Sequence, residues 1–461
     1  MGCCYSNPEA NAYVMDCTSR ATVGISNIFL GYAILRYAAK EAGCERIHAD
    51  GICGKRLESG LRASSLLTVM LTVGYLATAA CLPLVGTLVD YTPRRRAVGL
   101  GTAYALIFIQ IIEIGVSERS WPAVAALQVE AQVVYLLHLV PHFAYIPELT
   151  RDDREAAAIQ ASGLGGGYGA SLGMLAVLVG FGGGPVDTAR LAQGLSGFAL
   201  AATLPYAWHA LNGDRPALRA LPPGASLLTE GFASLRRTAA TTRTAYPELW
   251  KLLLGLSCWE ASTSAFLNLL PTYLAVFAGM TATQIGSCLG VALVATLGGA
   301  FLSKLLLRRC SCKAVVVGAL SFLCLLAFLM PLAVAGPEHK DALYGFGFLV
   351  GLGNGVVYPA QRVLFTKLIP GGREAQMWGI YAFAGAVWVW VPPLVFTVIN
   401  EVVGMRFAIW SLCALYAVGI PQGLRIDLAK AEKDVAATLA RRHYADGAGG
   451  APPPKDAASS P

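Results

Sequence analysis

Charged residues are scarce in this chain. Of its 461 residues, 14% are Asp, Glu, Lys or Arg and 55% are hydrophobic, whereas a soluble domain carries about a quarter charged residues. The composition therefore argues against a soluble protein and indicates an integral membrane protein. The net charge of +7 does not indicate nucleic-acid binding, because the basic residues lie between apolar runs and form no continuous basic face.

The chain also lacks the residue patterns of enzymes and metal proteins. It shows no Ser-His-Asp arrangement, no zinc-ligand spacing and no phosphate-cradling loop. Most of the 12 cysteines lie in apolar runs, where a thiol behaves as a small apolar side chain. We therefore expect no catalysis, no cofactor and no metal. Cys44 and Cys53 share one predicted loop and could form a disulfide in an oxidising lumen.

Apolar runs of membrane length are abundant. A helix needs about 20 apolar residues to cross the hydrocarbon core, and about twelve such runs lie near residues 12–35, 62–86, 97–116, 122–147, 156–181, 189–210, 248–276, 282–306, 313–335, 342–366, 374–399 and 404–424. A central loop, 211–247, divides the runs into six and six. The layout predicts an all-α membrane protein with two six-helix bundles, 12–210 and 248–424, and a pore between them.

The links between runs predict the topology. An even number of spans places both termini on one side, which also receives Arg94 to Arg96, the arginines of the central loop, and Arg308 with Arg309. The positive-inside rule then makes both termini cytosolic. The loop after the first span opposes this orientation with five basic residues of its own, although four acidic residues accompany them.

Three segments are expected to lie outside the bundles. Within the central loop, Leu227, Leu228, Phe232 and Leu235 recur at near-helical spacing and predict a short amphipathic helix on the cytosolic surface. The tail, 425–461, is charged at first and then rich in Gly, Ala and Pro, so we expect it to be partly disordered. In the N-terminal segment, 1–11, Gly2 fits an N-myristoylation pattern, and Cys3 and Cys4 could be palmitoylated. A chance match is the alternative.

Polar residues inside the spans are the candidate site residues. A charge at a helix centre costs roughly 3 kcal/mol and must face protein or water. An amino acid needs a cation for its carboxylate and an acid for its ammonium group, and a desolvated acid could also take up a proton. The alternative is a set of salt bridges that hold the bundles together. The candidates for substrate binding or coupling are Asp16, Arg20, Glu130, His138, Glu260, Asn354, Tyr358 and Arg362.

The link between the second and third spans resembles the signature loop of the major facilitator superfamily. Gly86 is followed four residues later by Asp90 and then by Arg94 and Arg95, although Pro93 stands where that family usually has glycine. The resemblance implies a gate on the cytosolic face, where Asp90 pairs with an arginine or a helix end and releases it when the two halves rock.

Three further segments resemble one branch of that superfamily, the autophagy-related vacuolar amino-acid effluxers. They are 362–375 with the following 379–381, then 145–149, and the glycine-rich 163–169. At the first of these, Pro370 ends a helix and two glycines allow a reversal before Arg373 and Glu374. The resemblance implies that Arg373, Glu374 and Glu148 belong to the gate. It also implies that the first, fourth, seventh and tenth helices line the central cavity.

The resemblance implies a function. It indicates a secondary transporter that exports neutral amino acids from a vacuole or lysosome-like membrane to the cytosol by alternating access, with protons as a possible coupling ion. Ser19, Arg20, Tyr358 and Gln361 depart from the branch's pattern where the substrate should lie. Another solute (a sugar, a drug or a lysolipid), a plasma-membrane location and a transport-inactive receptor or scaffold therefore stay open. The partners expected are a small solute and membrane lipids.

Overall fold

The computed structural model describes residues 5–44, 55–150, 153–213, 215–369, 374–431 and 433. These residues form helices and no β-strand, apart from one isolated bridge between Arg56 and Arg62. Gly2, Cys3, Cys4, the junction 370–373 with Arg373, and most of the C-terminal tail lie outside the described residues. Cys44 is disulfide-bonded, and its partner also lies outside them.

The twelve predicted runs are all helical. The first six are α1 Pro8–Glu41, α2 Leu66–Tyr91, α3 Arg95–Glu113, α4 Trp121–Leu149, α5 Asp153–Phe181 and α6 Pro185–Ala210. After α7, Leu227–Ala245, come α8 Pro247–Val276, α9 Ala282–Leu307, α10 Cys312–Ala333 and α11 Ala342–Thr366. The eleventh run is divided into α12 Glu374–Ala386 and α13 Val391–Val402, and the twelfth into α14 Met405–Ala408 and α15 Ser411–Leu424.

Judged by length and composition alone, nine spans in the described part of the chain are long and apolar enough to cross a membrane. The other three long helices, α1, α6 and α8, have 34, 26 and 30 residues, so they also exceed the required length. They carry more polar residues, and many of these face protein: Asp16 is 1% exposed, and Gln193 and Thr263 are fully buried. The helices that look least like membrane spans therefore supply the polar interior.

The chain reverses at two faces of the bundle. The face that carries Glu9, Arg215 and Arg425 is here called the terminal face, because the N-terminal segment and the end of α15 both lie there. The Arg215 guanidinium contacts the Glu9 carboxylate at 2.5 Å, and Lys251 at the start of α8 donates to the Arg425 carbonyl at 3.1 Å. The other face, with the loop before α2 and the end of α13, is here called the opposite face.

Glycines let pairs of helices approach closely. A Cβ added at Gly351 or Gly355 of α11 would lie 2.1 Å from the carbonyl oxygen of Ala292 or Thr296 of α9. In α5, a Cβ at Gly166 would lie 2.2 Å from Thr18 Oγ1 of α1. The glycines of α5 and α11 thus allow close helix contact at these positions, whereas Gly345 faces open space.

The predicted helix in the central loop is confirmed as α7. Ser226 caps it by accepting a hydrogen bond from the Leu228 backbone at 3.3 Å. Leu228 and Phe232 are exposed, at 70% and 49%. A Cβ on Gly231 would lie only 2.2 Å from the Pro83 carbonyl of α2, so α7 is held tightly against the N-terminal bundle. It also packs against α8 and α12 and so lies between the two halves.

Candidate functional site

A cavity of about 310 Å³ lies between the two bundles. It is lined by α1, α2 and α4 on one side and by α8 and α9 on the other. Among the described residues that line it, no side chain is charged. The polar lining consists of amides, phenols and one hydroxyl: Asn27, Tyr32, Tyr75, Gln128, Gln132, Tyr135, Asn268 and Thr272. The cavity therefore offers neutral hydrogen-bonding groups within an otherwise apolar wall.

Two glutamines of α4 leave hydrogen-bonding atoms unused in this wall. Gln128 donates from Nε2 to the Asn27 carbonyl at 2.8 Å. Within the described part of the chain, its Oε1 is buried without a partner, as is Nε2 of Gln132 one turn later. On the other bundle, Asn268 donates to the Tyr75 hydroxyl at 2.8 Å and so joins α8 to α2. Because buried polar atoms are nearly always satisfied, one acceptor and one donor are available for a bound solute.

Glu260 lies on the same stripe of α8 as Asn268, eight residues nearer the terminal face, which corresponds to about 12 Å along the helix. Its Oε2 accepts a hydrogen bond from Gln361 Nε2 at 3.1 Å, and Gln361 Oε1 accepts one from the Trp259 indole at 3.1 Å. Tyr358 also hydrogen-bonds to the Glu260 carboxylate. A half-buried carboxylate is thus held in place by neutral donors.

Arg362 interacts electrostatically with Glu260 without pairing to it. Its side chain is exposed and forms no ion pair within the described part of the chain. It also interacts with Tyr13 of α1 and Tyr168 of α5, so it lies between the bundles. Three of the predicted residues, Glu260, Tyr358 and Arg362, are therefore brought together, with an unpaired cation near a carboxylate.

Asn354 lies on α11 two turns before Arg362. It is 2% exposed, and both atoms of its amide group lack a hydrogen-bond partner. It does not line the cavity.

A second polar cluster lies inside the N-terminal bundle. Asp16 contacts Arg20 at 3.3 Å, as their spacing of four residues on one helix predicts. It contacts His138 at 2.8 Å. It also contacts His142 at 2.8 Å and the Trp208 indole nitrogen at 3.0 Å. We did not predict the last two. His142 follows His138 by four residues, which places both on one face of α4, and this spacing could have indicated it.

Glu130 does not join either group. Its side chain is exposed, and it is not among the residues that line the cavity. Gln132, which does line the cavity, lies two residues further along α4 and therefore about 200° around the helix. The structure thus places Glu130 on the outer surface of α4, away from the predicted binding site.

The gate residues with described side chains form an ion network within the N-terminal half. Glu148 accepts from Arg95 at 2.7 Å and from Arg215 at 2.5 Å. The Asp90 carbonyl accepts from the Arg219 backbone at 3.0 Å, and the Asp90 carboxylate interacts electrostatically with Arg219 and Arg95.

This network ties the central loop and the N-terminal segment to the N-terminal bundle. The Arg94 side chain is exposed and has no hydrogen bond or ion pair among the described residues. Glu374 begins α12, but its side chain is not described. The contacts of Arg95 and Glu148 thus lie within one half and do not themselves join the two bundles.

A further set of hydrogen bonds that joins the halves lies at the opposite face, and the sequence did not reveal it. Glu401 of α13 accepts from the Arg62 backbone at 3.0 Å and from the Ser65 hydroxyl at 2.7 Å. Asn400 donates to Ser64 at 2.9 Å, and the Thr68 and Thr397 hydroxyls are 2.6 Å apart, so the set spans α2 and α13. We call this set the opposite-face latch.

We expect Glu401→Ala to open the opposite face. Removing its carboxylate takes away several hydrogen bonds to the other half, worth about 1 to 3 kcal/mol together, which would change the ratio of open to closed molecules roughly 5- to 150-fold. Spin labels at Glu58→Cys and Val403→Cys, in a background without other free cysteines, would show the change as longer distances by electron paramagnetic resonance.

Glu118→Ala is the matched control for this change. Glu118 forms an exposed ion pair with Lys40, and both residues belong to the N-terminal half. It should leave the distance distribution unchanged. Equal distributions in Glu401→Ala and the unaltered protein would contradict a latch at this position.

Two helical bundles that enclose a polar cavity and close against each other at one face are the architecture of a membrane transporter. Solved transporters share this fold. The xylose transporter XylE from E. coli, in an inward-open conformation, matches with a TM-score of 0.60 and 14% identity over 92% of this chain and 99% of that one. A bacterial homologue of the human lysosomal transporter Spinster, inward-facing and unoccupied, matches with a TM-score of 0.54 and 13% identity over 95% and 96%.

A family model identifies the chain more closely. The model described as "Vacuole effluxer Atg22 like" matches residues 8–166 and 156–436. The chain belongs to this family, within the major facilitator fold, as the resemblance in the sequence indicated. No curated protein matches the chain.

Proposed function

We propose that the protein exports neutral amino acids from a vacuole or lysosome-like compartment to the cytosol by alternating access, driven by protons. The observation that supports this most is the arrangement of Glu260 and Arg362. They are an anion and a cation without a mutual ion pair. Arg362 interacts with residues of both bundles, and Glu260 lies about 12 Å along α8 from Asn268, which lines the uncharged cavity. Membership of a family named for vacuole effluxers supports the compartment and the direction.

The two charged residues suit the two ends of a zwitterion. Glu260 would hold the ammonium group, because its carboxylate is negatively charged and the phenol of Tyr358 positions it. Arg362 would hold the substrate carboxylate through charge-assisted hydrogen bonds. A side chain of the substrate would then point toward the cavity, where Val23, Leu71 and other apolar residues line the wall. A volume of about 310 Å³ is at the lower end of the usual range for ligand sites.

The structure corresponds to a state that is closed at the opposite face. Arg362 is exposed although it interacts with residues of both halves, and it lies near the end of α11 at the terminal face, which supports an opening on that side. If that face is cytosolic, as the positive-inside rule predicts, this state would release substrate to the cytosol.

Transport of leucine by proteoliposomes tests the proposal. We expect exchange of external [³H]leucine for internal leucine, and we expect Glu260→Gln and Arg362→Gln to reduce it roughly 10- to 100-fold, the effect of losing one charge-assisted hydrogen bond of 1.5 to 3 kcal/mol. Glu338→Gln is the matched control, because Glu338 is exposed in the loop before α11. Unchanged exchange in the first two variants would contradict the assigned site.

A sugar-like solute is the second candidate, because Gln128 and Gln132 present a neutral acceptor and donor to the cavity. Excess unlabelled xylose, added to the same vesicles, should leave leucine exchange unaffected if amino acids are the substrates. Exchange of [³H]xylose instead of leucine would favour the second candidate. A membrane receptor or scaffold would exchange neither solute and would tolerate Glu260→Ala.

A further inference from the structure

A buried carboxylate that four hydrogen-bond donors contact lies inside the N-terminal bundle. Asp16 is 1% exposed. Its Oδ1 lies 2.8 Å from His138 Nε2 and 3.0 Å from Trp208 Nε1. Its Oδ2 lies 2.8 Å from His142 Nδ1 and 3.3 Å from Arg20 Nε. Because all four neighbours can donate, Asp16 is ionised in this arrangement, and Arg20 balances its charge.

The two histidines that share Asp16 differ in their second nitrogen. His138 Nδ1 lies 2.7 Å from Thr102 Oγ1, and the same hydroxyl lies 2.9 Å from the Val98 carbonyl. The hydroxyl can donate its hydrogen to His138, or it can turn that hydrogen to the carbonyl and accept one from His138. His138 can therefore hold one proton or two without leaving a polar atom unpaired.

His142 has no such freedom. Its Nδ1 faces Asp16, and its Nε2 is buried with no hydrogen-bond partner among the residues that the structure describes. Its ring stacks on Tyr13, with 3.9 Å between centroids and 17° between planes. A second proton on Nε2 would create a buried donor without an acceptor, which is costly. The structure therefore distinguishes His138, which can accept a proton, from His142, which positions Asp16.

A charged His138 would compete with Arg20 for the same carboxylate. The contact between Arg20 and Asp16 is the longest of the four, and the guanidinium carbon of Arg20 lies 5.3 Å from the centroid of the Tyr135 ring. Tyr135 lines the cavity. A stronger bond from a charged His138 to Asp16 would weaken the hold of Asp16 on Arg20, and Arg20 is in contact with Tyr135 of the cavity wall.

The remaining described groups near Asp16 are uncharged polar side chains, among them the Cys17 thiol of α1, which also hydrogen-bonds to Arg20. Besides Arg20 and the histidines, α1 contributes the Tyr13 phenol, and α3 and α6 contribute the uncharged Thr102 and Trp208. From the other half, Arg362 interacts electrostatically with Tyr13.

We propose that His138 carries the coupling proton and that Asp16, shared between His138 and Arg20, passes its effect to the cavity. This rests on the proposed function, since it names the site that would couple leucine transport to a proton gradient. His142 is a positioning residue in the same cluster. The only species transferred in this step is the proton. It comes from water on one side of the membrane and returns to water on the other side.

Two measurements in proteoliposomes test the coupling. We compare [³H]leucine accumulation with and without a pH gradient, and normalise both to leucine exchange without a gradient. His138→Gln keeps a hydrogen-bonding amide but cannot accept a proton, so we expect the gradient to stop increasing accumulation. His142→Gln should lower the rates but keep the stimulation, and His209→Gln, which alters an exposed histidine near Arg96, should change neither.

A measurement without substrate keeps the two proposals separate. Nuclear magnetic resonance of ¹⁵N-histidine-labelled protein, recorded between about pH 5 and pH 8, reports each imidazole's protonation. We expect one buried histidine to change from neutral to charged, with that signal absent in His138→Gln and present in His142→Gln. If unaltered protein fails to exchange leucine, the proposed substrate is wrong, and the resonance still decides the state of His138.

Three results would overturn the proposal. One is a His138 that keeps a single protonation state throughout the titration. Another is a His138→Gln variant whose leucine accumulation still rises fully with the pH gradient. The third is loss of gradient stimulation in His142→Gln with His138→Gln unaffected, which would reverse the assigned roles.

Discussion

Replacing Gly355 by leucine is expected to lower the melting temperature of the purified protein by roughly 1 to 3 °C or more, because a chain of this length shifts by about 1 °C per kcal/mol. A Cβ at this position would lie 2.1 Å from the Thr296 carbonyl and 2.8 Å from Gly299 Cα. Both atoms belong to the backbone of α9, so no side chain can move aside. The helices must separate, which opens the packing along their whole crossing and costs about 1 to 3 kcal/mol or more.

The same helix provides the control. Gly345 has no atom within 4 Å of an added Cβ, so Gly345→Leu changes the same residue types on α11 without a clash. We expect its melting temperature, measured by tryptophan fluorescence in the same detergent, to match that of the unaltered protein. Gly355→Ala should fall between the two. If the two leucine variants have the same melting temperature, close packing of α9 and α11 does not limit stability.

The helices were predictable because the membrane requires them. A span must satisfy its own backbone hydrogen bonds and expose apolar side chains to lipid, so long apolar runs indicated all twelve helices, although α1, α6 and α8 are less apolar than the other nine. The break between α12 and α13 was not predicted. It falls at 387–390, directly before Pro392 and Pro393, and consecutive prolines inside a run are a signal that could have indicated it.

The site was less predictable because a membrane helix can be apolar on every side. In α4, Gln128 and Gln132 line the cavity whereas Glu130 faces outward. A sequence shows that these residues share a helix, but the side that faces the other bundle depends on how helices pack. Glu130 was a candidate because it is charged, but its side chain points away from the cavity.

Contacts between distant segments could not be predicted from a single sequence. Asp16 and Arg20 are four residues apart, so their pairing could be predicted, and the structure confirms the contact. Trp208 reaches Asp16 from α6, 192 residues away, and Glu401 reaches Arg62 across 339. No local pattern joins such residues, and the fold alone brings them together.

Asp16→Ala is expected to destabilise the protein more than any other single change to the buried polar cluster. Four donors meet this carboxylate, and Arg20, His138 and Trp208 are all buried. Removing this shared acceptor leaves a buried guanidinium without its counter-charge, and breaking a buried pair in this way costs about 3 to 5 kcal/mol. We expect a lower yield of folded protein and a large fall in melting temperature.

A double variant separates lost charge from lost packing. Asp16→Ala with Arg20→Leu removes both charges, so it should recover part of the stability that Asp16→Ala loses, as a double-mutant cycle would measure. Asp187→Ala is the matched control, because Asp187 is exposed at the start of α6 and its replacement should change the melting temperature little.

The outcome also bears on the role of the cluster. If the double variant is folded but no longer responds to a pH gradient, the ion pair is needed for coupling and not merely for folding. If Asp16→Ala is as stable as Asp187→Ala, the donors around Asp16 find other partners, and the carboxylate is not the centre of the cluster. The double variant therefore shows whether this buried charge is kept for stability or for transport.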